Sequence, residues 1–368
     1  MRYRDSYIED ALSLNNSGNK IIDIKVNDPI STLWLRFKAT NHSTGPNADS
    51  PITRCISSIE IVDGSDVLYS LNGHQANANA AFDLGKMPNN TYQEEGTLTQ
   101  TAQIPILFGR YIGDPEYYLH PGKFSNPQLK IAWDLETVNS IGANGFEDGS
   151  AELTLIAKIM EDAPDPKGFL MTKEQYSWET DASGDERIDL PTDYPYRRLM
   201  LRSYEAGTSL TSAITDVKLS VDNDKYVPFD LHAKDLARQM PDWFGYFTQY
   251  MKGYGDDSDV RQLWLDRDLR IQLTPQYDDW NLGVLTAYAG QYTIYMRNED
   301  GTNTTGKPWK CECKGACPES TLAYPFGDQM KPEDWFQAQT FGGIRLFVTQ
   351  GNAGGDASVF IQQLRAYE

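Results

Sequence analysis

A chain of 368 residues that is 40% apolar, 12% aromatic and 23% charged has the make-up of folded globular proteins, which excludes a disordered chain. Its formal net charge of −19 repels phosphate backbones over most of the surface, so direct packing of nucleic acid is not expected of it. No run of 18 apolar residues occurs and the opening "MRYRDSYIED" lacks a secretory apolar stretch, so a soluble, unprocessed chain is expected.

In chain order, the first clear signal is alternation of period two, the mark of strands with one buried face. Leu33, Leu35 and Phe37 alternate with Trp34 and Arg36. Next, "SSIEIVDGSDVLYSL" reads as strand, tight turn, strand, and "HQANANAAFDLGKM" (74–87) follows as a helix. Leu129, Ile131, Trp133 and Leu135 form another alternating run, and "SAELTLIAKIMED" closes the first half. The Pro-, Asp- and Ser-rich stretch 161–186 predicts a connector.

The second half repeats this order. "IDIKVNDPISTLWLR" (22–36) has an echo in "IDLPTDYPYRRLMLR" (188–202), an offset of 166 that pairs Ile22 with Ile188, Leu33 with Leu199 and Arg36 with Arg202. "TDVKLSVDNDKYVPFDL" then reads as strand, turn, strand, and "HAKDLARQM" (232–240) as a helix. The two turns, "VDG" (62–64) and "VDN" (221–223), carry residues suited to positive φ. "GGIRLFVTQ" and "ASVFIQQLRAYE" close this half as a penultimate and a last strand. Offsets near 160 early in the halves grow to 215 (344 − 129) late, so an insertion of roughly fifty residues is expected between about 243 and 339.

Catalytic signals are scarce. His42, His74, His120 and His232 form no HxD, HxE or HExxH group, and no nucleophile elbow, phosphate loop or dinucleotide fingerprint occurs. The acidic stretches "YDDW" (277–280) and "GDDSD" (255–259) read as solvated surface. Cys311, Cys313 and Cys317 sit within seven residues, as a zinc site, a loop disulfide with a spare thiol, or free thiols stiffening an exposed loop. Cys55 stands alone and reads as a buried small hydrophobe.

The duplicated halves, the strand, VDG turn, strand, helix unit, and the stretch "IPILFGRYIGDPEYYLHPGKFSNPQLKIAWDL" (104–135) together resemble the major capsid proteins of the double jelly-roll lineage. These occur in tailless icosahedral double-stranded DNA viruses, many with an internal membrane, and the size matches the smaller, prokaryotic-virus members. The resemblance implies a mainly β fold of two tandem eight-stranded jelly rolls, with short connecting helices and a long loop insertion in the second. It implies an N-terminal arm at 1–20, a first jelly roll at 21–162, a connector at 163–186 and a second jelly roll at 187–368. The arm would face neighbouring capsomers or an internal viral membrane through Arg2 and Arg4.

The implied function is a major capsid protein, not an enzyme and without a cofactor. Its homotrimeric, pseudo-hexagonal capsomers would tile an icosahedral shell, meet minor capsid and vertex proteins, and pass from host cytoplasm to virion. Two other classes leave their own marks. A carbohydrate-binding or adhesion protein with two β-sandwiches would expose aromatics such as Trp243, Trp264 or Trp280 in a groove. A hydrolase would hold two carboxylates about 5 to 9 Å apart in a cleft.

Overall fold

The computed structural model describes residues 1–43, 51–93, 95–138, 145–205, 207–254, 260–262, 265–267, 269–275, 282–288, 291–297 and 308–367. The first half runs β1 (Arg2–Ser13), β2 (Ser17–Asp23), β3 (Ile30–Thr40), β4 (Ile56–Asp63), β5 (Asp66–Leu71), α1 (Gly73–Leu84), β6 (Tyr92–Gln93), β7 (Thr99–Leu107), β8 (Pro127–Asp134) and β9 (Glu152–Glu161). Two four-strand orders result, β1-β9-β3-β7 and β2-β8-β4-β5, and they face each other as a sandwich. Inward-pointing Leu33, Leu35 and Phe37 of β3 and Leu129, Ile131 and Trp133 of β8 are buried between them, as the alternation predicts.

The second half begins with β10 (Gly168–Glu179), β11 (Gly184–Leu190), β12 (Tyr196–Tyr204), a single turn α2 (Leu210–Ala213), β13 (Ile214–Val221), β14 (Tyr226–His232) and α3 (Ala233–Phe244). An inserted region carries β15 (Phe247–Tyr254), β16 (Val260–Gln262), β17 (Leu265–Asp266), β18 (Arg270–Pro275), β19 (Leu282–Tyr288), β20 (Gln291–Arg297), β21 (Pro308–Gly315) and β22 (Cys317–Pro318). The chain then returns through β23 (Thr321–Pro325), β24 (Ile344–Gln350) and β25 (Asp356–Ala366). The orders β10-β25-β12-β23 and β11-β24-β13-β14 repeat those of the first half strand for strand.

The two halves join by one edge. β5 pairs in parallel with β10 at Tyr69 with Thr172 and Ser70 with Lys173, so that one eight-stranded sheet runs through both sandwiches. The insertion also reaches across, because β6 of the first half pairs in parallel with β15.

Local chemistry explains the helices and turns. Asn72 and Gln75 form a reciprocal capping box at the start of α1, and Gly85 closes it at φ 65°. In the turns, Gly64 sits at φ 61°, while Asp222, Asn223 and Asp224 all take left-handed conformations.

Three expectations need correction. Residues 2–13 are no free arm: they are edge strand β1, hydrogen-bonded along β9, with Ile8 and Leu12 packed on the core. The connector is short, because β10 starts at Gly168. Its opening Phe169, Leu170 and Met171 are buried one after another, so no alternation marks it. The insertion ends by Pro318, since β23 already pairs with β12 in the main sheet.

Candidate functional site at the seam of the two sandwiches

A dense polar arrangement lies where α1 meets the outer face of β10, β25 and β12. Helix α1 presents Gln75, Asn79 and Asp83, one every four residues and therefore on one stripe. Gln75 Nε2 donates to Ser358 Oγ at 2.8 Å, and Gln362 Nε2 donates to Asn79 Oδ1 at 3.4 Å and to Asp83 Oδ2 at 3.0 Å. Arg197 Nη1 donates to Asp83 Oδ1 at 2.9 Å, and Arg198 donates to the same oxygen. Asp83, Arg197 and Arg198 are all buried.

Two guanidiniums on one carboxylate leave an excess positive charge in a dry place. Burial pushes the Arg197 guanidinium down to about 10, against the attraction of Asp83. Rings supply the remaining counterweight: Arg198 lies over Phe82 and Phe244, and Arg197 over Trp335.

A second buried group ties the insertion's return to the same helix. Glu319 and Ser320 hold left-handed conformations at φ 50° and 51°, a turn that brings Glu319 back onto α1. His74 Nδ1 lies 2.9 Å from Glu319 Oε2, and Asn77 donates to Glu319 Oε1. Burial holds the His74 imidazole below its ordinary value, opposed by that hydrogen bond. Elsewhere Asp114 is held low by Arg110, whose Nε donates to it at 2.7 Å, although burial works the other way. Each of these acids is engaged with a donor, so the arrangement suits holding elements together.

The residues singled out from the sequence are placed as follows. Arg2 pairs with Asp162 at 3.1 Å, while Arg4 pairs with Asp28 at 2.6 Å and Glu161 at 3.1 Å. Both charges are thus matched by carboxylates on the flank of the sandwich. All four cysteines are buried. Cys311 and Cys313 lie with sulfurs 3.6 Å apart, and Cys317 Sγ is 3.8 Å from Met240 Sδ. The C-x-C spacing is the period of strand β21, whose Trp309, Cys311 and Cys313 point into the core, so the exposed cysteine loop does not occur. Among the described residues, no group of three His, Cys, Asp or Glu is placed to hold a metal ion. Trp243 is exposed on α3 and meets Tyr324 edge-on, while Trp264, Trp280 and the acidic stretches 255–259 and 277–280 lie outside the described residues.

The seam itself was missed from the sequence. Its signals were Arg197 and Arg198 side by side ahead of the apolar run Leu199, Met200 and Leu201, and a helix carrying Gln75, Asn77 and Asn79.

No protein-family model matches the sequence, and no curated protein matches it. Solved structures do match over the full chain. The MCP of STIV, Sulfolobus Turreted Icosahedral Virus, superposes with a TM-score of 0.59 at 10% identity, covering 100% of this chain and 98% of that one. The major capsid protein P2 from Bacteriophage PM2 gives 0.55 at 9% identity, covering 99% and 98%. PBCV-1 VP54 gives 0.57 at 10% identity, covering 99% and 94%.

The chain has the double jelly-roll fold. In this double jelly roll the two sandwiches are the two jelly rolls, and α1 and α3 occupy the same place in each, between the fifth and sixth strands of the roll. The double jelly roll therefore locks its halves through α1 and carries its large insertion after α3.

Proposed function

We propose that this chain is a major capsid protein, a structural component of a virion that associates with itself to build an icosahedral shell. The observation that carries the proposal is the likeness of fold over the whole chain, both jelly rolls included, to capsid proteins of icosahedral viruses. Its capsomer is a homotrimer with pseudo-hexagonal outline, for a reason of pairing. Within the chain, edge strand β5 of the first jelly roll joins edge strand β10 of the second, whereas the counterpart edges β14 and β1 are each paired on one side only among the described residues. Repeating the junction head to tail pairs these two edges as well once a ring closes, and a ring of six jelly rolls takes three chains.

In this reading the insertion after α3 projects from the capsomer, and neighbouring trimers, minor capsid proteins and vertex proteins are the further partners. The role is structural: the buried acids fix elements, and the acidic surface is unsuited to binding the genome. Light scattering on the purified protein tests it. The expected mass is three times the 41.5 kDa of one chain, followed by pseudo-hexagonal particles in electron microscopy. A stable monomer at micromolar concentration would overturn the proposal.

A further inference from the structure

Two surfaces of this chain are partnered inside it, and their counterparts are not among the described residues. Helix α1 is buried from Gly73 through Phe82, whereas in α3 only Ala233, Leu236, Ala237 and Met240 are buried. Strand β12, on which α1 sits, is buried at every position but its last. Its counterpart β3 has Trp34, Arg36, Lys38 and Thr40 half-buried on the outer face. That open face also carries exposed Tyr3 and Tyr7 of β1, with a cleft of about 540 Å³ beside Trp34 lined by Lys86, Asn90, Gln103 and Tyr250. Among the described residues, one helix and one sheet are matched within the chain, and one helix and one sheet remain.

The internal repeat says how they would meet. The helices correspond at an offset of 160 (233 − 73), so Gln75, Asn79 and Asp83 become Asp235, Gln239 and Trp243. Strands β3 and β12 correspond at 166, and their pairings Leu33 with Ala157 and Leu199 with Ile361 set β9 against β25 at 204. The receivers Ser358, Gln362 and Arg198 then become Thr154, Lys158 and Thr32.

The geometry points to a defined contact between copies: the open face of α3 in one chain, Asp235, Gln239 and Trp243, docks on the outer face of β1, β9 and β3 in the next, with Gln239 and Trp243 at Lys158. This inference rests on the capsomer reading and names the surfaces that form it. The charges agree. Asp235 arrives at Thr154, to which Arg36 already donates at 3.2 Å, so an acid meets a guanidinium. Lys158 lies over the rings of Tyr3 and Trp34, and Trp243 brings a further aromatic face to that cation. A single helix-on-sheet contact, used once inside the chain and once between chains, is heterologous and closes as a ring.

The test is interchain cross-linking of Gln239→Cys with Lys158→Cys, the counterparts of Asn79 and Gln362, whose side chains meet at 3.4 Å. The native cysteines are all buried, so the wild-type chain is the background. A short thiol-reactive cross-linker should convert the double variant into covalent dimers and trimers and leave each single variant monomeric on denaturing gels. A trimer by light scattering that yields no such cross-link overturns the docking inference and leaves the capsomer reading standing; a wild-type monomer overturns both. A charge test runs alongside at Gln239, which is half-buried on α3, with thermal midpoints as the control for folding. Gln239→Arg sets a second cation against Lys158 and should raise the concentration at half-dissociation on the order of tenfold, while Gln239→Glu should not. Equal behaviour of the two variants, with unchanged thermal midpoints, also overturns the inference.

Discussion

The two jelly rolls share an order of strands and differ in what covers them. In the second, β12 is buried on both faces, because the core lies on one side and α1 on the other. In the first, the matching strand β3 alternates, core on one side and half-open on the other. The same topology therefore gives an interior sheet in one place and a surface sheet in the other. The deciding factor is the presence of a helix whose polar stripe fits the sheet. Arg197, Arg198 and Gln362 at the covered face answer to Ser31, Thr32 and Lys158 at the open one. A buried guanidinium is tolerable only beside an acid, so these arginines commit the second jelly roll to the helix that brings Asp83.

The largest expected effect follows from that commitment. Asp83→Ala removes the acid that two buried guanidiniums share and should cost about 3 to 5 kcal/mol in urea unfolding. A loss below about 1 kcal/mol would mean that the seam relaxes to hydrate its arginines and that the contrast between the two faces is slight.

Next comes a matched pair of truncations. Met200 and Trp34 occupy the same position of β12 and β3, but only Met200 is fully buried. Met200→Ala should cost about 2 to 5 kcal/mol in the isolated chain. Trp34→Ala, despite removing the larger side chain, should cost less there and act mainly on the mass measured by light scattering. Equal stability losses from the two would erase the difference drawn between covered and open sheets.

A smaller effect probes the helix itself. Asn72→Ala breaks the capping box that starts α1 and should lower stability by about 1 kcal/mol, read from the shift in the urea midpoint. The same change at His232, the corresponding position of α3, should do less, because that side chain makes no capping hydrogen bond.

Much of this fold is legible in the sequence where one face of an element is wet. The runs around Leu33, Leu129 and Val217 alternate because their strands divide core from surface, and the echo at an offset of 166 follows β2 into β3 and β11 into β12. Elements covered on both sides or on neither lose that signal. The start of β10 is buried at consecutive residues, and most of β1 is exposed at the edge, so one merged into the connector and the other into an arm. The cysteines were legible in spacing but misjudged in setting, because two residues per repeat is equally the period of a strand. The seam was beyond local reading: Arg197 and Asp83 lie 114 residues apart, and nothing near either one names the other.

The smallest effect separates the internal seam from the open edge by pH. Arg365 on β25 meets Asp66 at the start of β5 through two parallel hydrogen bonds of 2.8 and 2.7 Å. That guanidinium holds the Asp66 carboxyl below its ordinary value, against a lesser opposing effect of burial. The native state therefore takes up the proton at lower pH than the unfolded chain does. The pair's contribution is fully present above the unfolded value of about 3.9 and is lost as pH falls through the depressed native one. The pair is partly exposed, so screening by water limits its contribution to at most about 1 kcal/mol, and salt should shrink it. Asp66→Asn should thus be less stable than the parent at pH 7 and approach it below about pH 3. By the offsets of 160 and 204, the counterparts of Asp66 and Arg365 are Tyr226 and Glu161, which form no such pair. The acid sensitivity removed by Asp66→Asn should therefore appear in the unfolding of the single chain and leave the pH dependence of self-association unchanged. A change in association between pH 3 and 7 would place this ion pair's influence at the outer edge as well, and would blur the line between the internal junction and its repeat.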